Sequence, residues 1–342
     1  MADISCDIVV VGAGVLGLCV AGELASRGRD VRVIDPGEPN ASSVAAGMIA
    51  PAAEILLDRP GGDVATLFRE AAALWPDLAA VRGILLNSTP AEWAGEDRQA
   101  AAALLADHGF ETVWEAGRLH LPSDVRLDPA QALAALAHSI GTPILPQRLL
   151  RMARTAAGWR LQVEDGAIDA DAVVMANGTA GPVPGLPDAV GEVLTRVSPI
   201  AGQIGRVARP LTDRVVRGDG AYVVPGAGGN TLIGATMVEG ERHPVPDRAA
   251  SQTLVRAAEA LLGRAIGDDV EWRVGVRGAS PDGLPMAGPT REPAIHVALA
   301  PRRNGWLLGP MVAKVVADGI EGRPRDRYAA AFDPLRFSSQ AG

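Results

Sequence analysis

Lysine is nearly absent from this chain, Lys314 being its only one. A single lysine on an expected C-terminal helix is poorly placed to form a Schiff base, so covalent amine chemistry is set aside. Cysteine is almost as scarce. Cys6 and Cys19 have a spacing that suits neither a disulfide framework nor a zinc site, and they read as small buried hydrophobes of a reducing, cytoplasmic protein. His108, His120, His138, His243 and His296 are scattered and match no metal-ligand pattern. Aromatics make up 4% of the residues and the net charge is -8, with no basic cluster interleaved with rings, which argues against a nucleic-acid partner. Long apolar runs are missing too. The stretch 8–22 is too short and too broken by glycine to span a membrane, and it follows Asp3 and Asp7 rather than basic residues, so neither a span nor a signal peptide is expected.

What is present is a dinucleotide-binding opening. Residues 7–11 (DIVVV) lead into Gly12-Ala13-Gly14-Val15-Leu16-Gly17, then a helical stretch, then 31–35 ending in Asp35. Gly12 permits a tight turn off the strand, Gly14 lets backbone approach a pyrophosphate, and Gly17 lets helix and strand pack closely. Phosphates are favoured at the helix N-terminus, and Asp35 is placed to accept from an adenosine ribose. A glycine-rich structural turn is the alternative, but the agreement of strand, glycines, helix and terminal acid favours the ligand.

At 342 residues the chain is long enough for two domains. Helices are expected over 63–78 (capped by Asp63 and interrupted near Trp75-Pro76), 97–106, 128–140 (Asp128 N-cap, Gly141 stop), 247–262 and 311–320. Strands are expected around 149–154, 159–164, 172–178, 270–276 and 295–299, with a hairpin of 222–225 and 231–234. The fold class is therefore α/β: a Rossmann-like domain assembled from discontinuous pieces, with an inserted α+β domain built on an antiparallel sheet. The expected boundaries are 1–80, 143–192 and 277–335 for cofactor binding, and 81–142 and 193–276 for substrate.

The opening glycines, Ala46-Gly47-Met48, the strand ending at Asn177-Gly178, Tyr222-Val223-Val224-Pro225, Gly234-Ala235-Thr236-Met237 and Arg303-Asn304-Gly305 follow in order. Together they resemble the D-amino acid oxidase superfamily, and within it the glycine oxidases of thiamine biosynthesis. The resemblance implies non-covalent FAD, contacted by Gly12, Gly14, Val15, Leu16, Gly17, Asp35, Pro36, Ser42, Ser43, Ala46, Gly47, Met48, Leu150, Ala176, Asn177, Gly178, Arg277, Arg303, Asn304, Gly305, Trp306 and Leu307. It implies that Arg277 clamps a substrate carboxylate, that Tyr222 adds a hydrogen bond, and that Met48, Met237 and Arg303 complete the catalytic pocket.

Taken alone, Arg277 could instead join a surface or interdomain salt bridge, Tyr222 could be a core residue, and either methionine could be packing. The expected reaction is hydride transfer from the Cα of a small amino acid to flavin N5, with O2 reoxidising the flavin to give hydrogen peroxide. A D-amino acid or N-methyl amino acid dehydrogenase using a quinone or carrier, a nicotinamide-dependent reductase, and a flavoprotein without turnover are the competing readings. Homo-oligomer formation is left open. Two positions depart from the family pattern: Gly278 replaces a proline after the clamp arginine, and Ala300-Pro301 replaces Gly-His.

Overall fold

The computed structural model describes residues 4–243 and 245–337. Its contacts divide the chain into two units, one containing the residues up to 40, 133–200 and those from 277 on, the other containing 41–132 and 201–276. Residues 41–80, expected with the opening piece, lie with the second unit. There Met48–Ile49 pairs with Val125–Leu127, and Asp124 binds the N-H groups of Ala52 and Ala53.

In the first unit β1 (Ile4–Val11) runs parallel to β2 (Val31–Ile34) on one side and to the strand Gly166–Met175 on the other, with Val11 opposite both Ile34 and Met175. Ile295–Leu299 extends the parallel order, and Met286–Pro289 closes that edge antiparallel. Ile8, Val9 and Val10 are fully buried, as a parallel strand covered on both faces requires. Leu149–Arg154 and Trp159–Val163 form an antiparallel arm on the N-terminal half of Gly166–Met175.

The helix α1 (Val15–Ser26) lies beside the helix Gly305–Ile320. A Cβ on Gly305 would sit 3.2 Å from Val15 Cγ1, and one on Gly309 would sit 3.1 Å from Cys19 Sγ, so the i, i+4 faces match and the two N-termini lie together. At the opposite ends Arg27, the C-cap of α1, pairs with Glu23, Asp318 and Glu321, which places a cation at both carbonyl ends. This helix begins at Gly305 rather than at the expected 311 and carries Pro310 inside it. Contact with α1 outweighs the local cost of glycine and proline there.

The second unit is built on a nine-stranded sheet, in which Tyr222–Pro225 and Thr231–Gly234 form the expected hairpin. Helix Arg248–Leu262 covers this sheet through a core that includes Val223, Ile233, Ala258 and Ile266. Asp247 accepts the Ala250 N-H at 2.7 Å, and Gly263 at φ 64° ends the helix, which fixes the two ends of the expected element. The expected helix over 63–78 is two, Gly62–Ala73 and Trp75–Arg82; Gly61 is the N-cap of the first and Asp63 a first-turn acid. Among the described residues no helix is long and apolar enough to cross a membrane.

Candidate active site

The candidate residues of the first unit gather at the carboxyl ends of its parallel strands, where open α/β sheets bind ligands. Gly12 follows β1 at φ 113°, and a Cβ there would sit 2.4 Å from the Ala176 carbonyl oxygen. A Cβ on Gly17 would lie 2.0 Å from the Gly12 oxygen and 3.2 Å from Ala176 Cβ, which is the close helix-strand packing expected of it. Gly14 is the extended N-cap of α1 and, being glycine, brings no capping side chain of its own. Asp35 holds the loop from β2: one carboxylate oxygen accepts the Ala13 N-H at 2.7 Å, the other the Gly37 N-H at 2.8 Å. An ionised carboxylate has about four acceptor positions, so two such bonds leave room for ribose hydroxyls.

Asn177 donates to the Gly181 carbonyl at 2.9 Å, while its buried Oδ1 meets no hydrogen-bond donor among the described residues. Gly178 adopts φ 59°. After Ile295–Leu299 the chain turns through Ala300 and Arg302, both at positive φ, into Arg303 and the buried N-cap Asn304. Trp306 and Leu307 are buried in the first helical turn, so only backbone is offered there. Arg277 is half-buried near the end of the strand Val270–Ala279. Its neighbour Gly278 accepts the Arg302 N-H at 2.9 Å, and Ala279 bridges to Pro301, which puts Arg277 beside the turn that carries Arg303. Leu150 stands apart on the antiparallel arm, 43% exposed. Pro36 is exposed just beyond Asp35.

The second unit carries Ser42, Ser43, Ala46, Gly47, Met48, Tyr222 and Met237. Ser42 and Ser43 lie in the short helix Ala41–Val44. Gly47 is at φ 72°, and a Cβ there would reach 2.2 Å from the Leu127 carbonyl oxygen, so contact with a neighbouring strand alone demands glycine. Met48, on the next strand, is paired with Arg126. Tyr222 lies opposite Gly234, and its ring covers that glycine: a Cβ there would be 2.5 Å from the phenolic oxygen. Met237 is half-buried just beyond the hairpin.

A family model described as FAD dependent oxidoreductase (DAO) matches residues 7–319. The chain belongs to that family. It is 31% identical to glycine oxidase of Geobacillus kaustophilus, over 97% of this chain and 96% of the relative. It is 29% identical to the bifunctional protein ThiO/ThiG of Trichormus variabilis over 98% of its own length, but spans only 56% of that relative. The crystal structure of glycine oxidase from Geobacillus kaustophilus has the same fold, with a TM-score of 0.82 at 24% identity, covering 97% of this chain and 99% of that one.

FAD is thus the cofactor, and the nicotinamide alternative is set aside. The glycine cradle at the N-terminus of α1 and the solitary Asn177 oxygen fit a dinucleotide, which supplies anionic oxygens and hydroxyl donors. The adjoining N-terminus of Gly305–Ile320 adds a second positive helix end, and two such ends repel each other unless an electron-rich group lies near. The departures from the family pattern have local consequences. A Cβ on Gly278 would come within 2.7 Å of Val197 Cγ1, so this position admits no larger residue without movement. Ala300 holds a left-handed φ of 60°, a backbone that glycine adopts without strain.

A group of residues that sequence reasoning missed follows Met48 along the chain. Two residues after Met48–Ile49, Pro51 opens the helix Pro51–Asp58, and Asp124 caps its first turn by accepting the N-H groups of Ala52 at 2.8 Å and Ala53 at 3.0 Å. Glu54 of that helix binds Arg217 at 2.6 Å, with both side chains under a tenth exposed. The detectable signal is a lone glutamate inside the apolar run 51–57. Burial pushes Asp124 up to about 7, against the N-H bonds of Ala53 and Ala52 and the charge of Arg217.

A folded-state value above the ordinary 3.8 means that the native protein keeps this proton longer, so its contribution to stability is full below about 3.8 and is lost as pH rises through about 7. Urea unfolding of wild type and Asp124→Asn at successive pH values is expected to show wild type losing up to roughly 1.4 kcal/mol per pH unit relative to the variant in that window. Parallel curves would refute the assignment.

Proposed function

We propose that this chain oxidises a small amino acid (glycine, sarcosine or a small D-amino acid) to the imino acid, with non-covalent FAD and with O2 reduced to hydrogen peroxide. Arg277 carries the reading. It is a half-buried cation near the end of its strand, next to the glycine that binds the turn into the C-terminal helix. A guanidinium there meets a substrate carboxylate through two parallel hydrogen bonds. We assign Tyr222 a further hydrogen bond to that carboxylate, and Met48 and Met237 the apolar lining. The name of the Geobacillus relative supports the same substrate class.

When bound, FAD supplies the two-electron acceptor for the Cα-H of an amine. The residues need only bind and orient a neutral amine and exclude water, since no proton has to be moved by a side-chain base before the C-H bond breaks. The cofactor is assigned as non-covalent because both thiols are structural. Cys6 is buried in β1, which pushes it up to about 12, and buried Cys19 packs against Gly309.

Arg277→Ala is expected to raise KM for glycine by roughly a hundredfold, the loss of a charge-assisted pair, while flavin stays bound. Steady-state kinetics with glycine, sarcosine and D-alanine check it, and an unchanged KM removes Arg277 from the site. Comparing oxygen uptake with dye reduction decides the electron acceptor.

A further inference from the structure

The second unit contains a pocket of about 140 Å³, lined in part by Ser43, Arg126, Asp128, Arg206, Asn230 and Arg273. Its charges do not balance. Glu271 is shared between Arg273 at 2.6 Å and Arg206 at 3.3 Å, and Asp128 is occupied in capping a helix through the Gln131 N-H at 2.8 Å. Three guanidinium groups against two carboxylates leave one positive charge, and Arg126 holds it. Arg126 is the central residue of the strand Val125–Leu127, paired on one side with Met48 and on the other with Asn87, so its side chain is fixed at the base by a three-stranded sheet. It is half-buried, and among the described residues no hydrogen bond or ion pair reaches its guanidinium. Burial lowers its pKa below the usual arginine value, with the charge of Asp128 only partly offsetting the effect.

A partly desolvated guanidinium without a partner is unfavourable unless an anion completes it. We propose that this pocket binds a small oxyanion, a carboxylate or phosphate group, through Arg126, with Arg206 and Arg273 supplying the surrounding positive field. That space admits an anion of a few heavy atoms. The planar fork of Arg126 matches two oxygens of either anion class.

The test is isothermal titration of the FAD-loaded protein with inorganic phosphate and, separately, with acetate. At least one is expected to bind at one site per chain, and the tighter of the two names the class. Arg126→Leu is expected to weaken that binding at least tenfold, the fold-change for a lost charge-assisted hydrogen bond, without lowering Tm in anion-free buffer. Arg273→Ala, at a more exposed position, provides the second variant, with a smaller loss that persists if Arg126→Leu fails to fold. Three results would overturn the proposal: no binding of either anion, equal affinity in wild type and both variants, or binding confined to flavin-free protein, which would assign the pocket to the cofactor.

Discussion

Gly12→Ala is expected to yield a protein that has lost its flavin absorbance and much of its stability. Two independent costs fall on this position. The backbone at φ 113° lies in a region that only glycine occupies freely. The new Cβ would also stand 2.4 Å from the Ala176 carbonyl oxygen and 2.8 Å from the carbonyl carbon, both backbone atoms of the adjoining strand end. No side-chain rotation relieves that collision, so the β1 turn must separate from residues 176–177. Such a shift breaks the Gly12 N-H bond to Ile34 at 2.8 Å and strains the Asp35 bond to Ala13, the contacts that hold the loop open at the helix end.

A loss of about 3 kcal/mol or more is expected for strain and overpacking together. Gly28→Ala is the control. Gly28 also has positive φ, at 83°, but a Cβ there meets nothing within 4 Å, so only strain of about 1 kcal/mol applies and flavin is retained. Thermal unfolding and the flavin-to-protein absorbance ratio of the two variants measure the difference. If Gly12→Ala matched Gly28→Ala, the close approach of the two strand ends would be refuted.

The opening βαβ unit was legible because each of its signals is local: a turn, a helix entry and a strand end within thirty residues of one another. The cap at Asp128 was legible for the same reason, and its side chain accepts the Gln131 N-H three residues on. Local reading fails where a tertiary contact overrides propensity. Gly305 and Pro310 look like reasons to start a helix late, yet the helix starts at Gly305 because Gly305 and Gly309 pack against Val15 and Cys19, nearly three hundred residues away. The motif glycines also have more than one cause. Gly47 belongs to the family pattern, but its closeness to the Leu127 oxygen would demand glycine with no cofactor present. The three-stranded sheet that holds Met48 and Arg126 was not legible, because strands of two or three residues carry no periodicity.

Least legible of all was the Glu54–Arg217–Asp124 cluster, whose members come from three distant segments, and it yields the second large effect. Arg217→Met is expected to cost about 3–5 kcal/mol, since it leaves a buried Glu54 without its cation and removes the charge that tempers Asp124. The loss should grow with pH. Without Arg217 nothing of opposite charge offsets the burial of Asp124, so the variant's folded state is progressively penalised as pH rises above the ordinary carboxylate range. Glu54→Met alone leaves Arg217 buried near Asp124, which is itself pushed toward neutrality, so it too should be strongly destabilised. The double variant Glu54→Met/Arg217→Met removes both charges, and it should recover much of what either single change loses. Chemical denaturation of the three variants at pH 6 and pH 8 distinguishes a coupled pair from two independent packing residues. Additive losses with no pH dependence would show that Glu54 and Arg217 act only as volume. Because the helix they anchor begins just after Met48–Ile49, a loosened pair should also raise KM through the lining role proposed for Met48 while leaving Arg277 untouched.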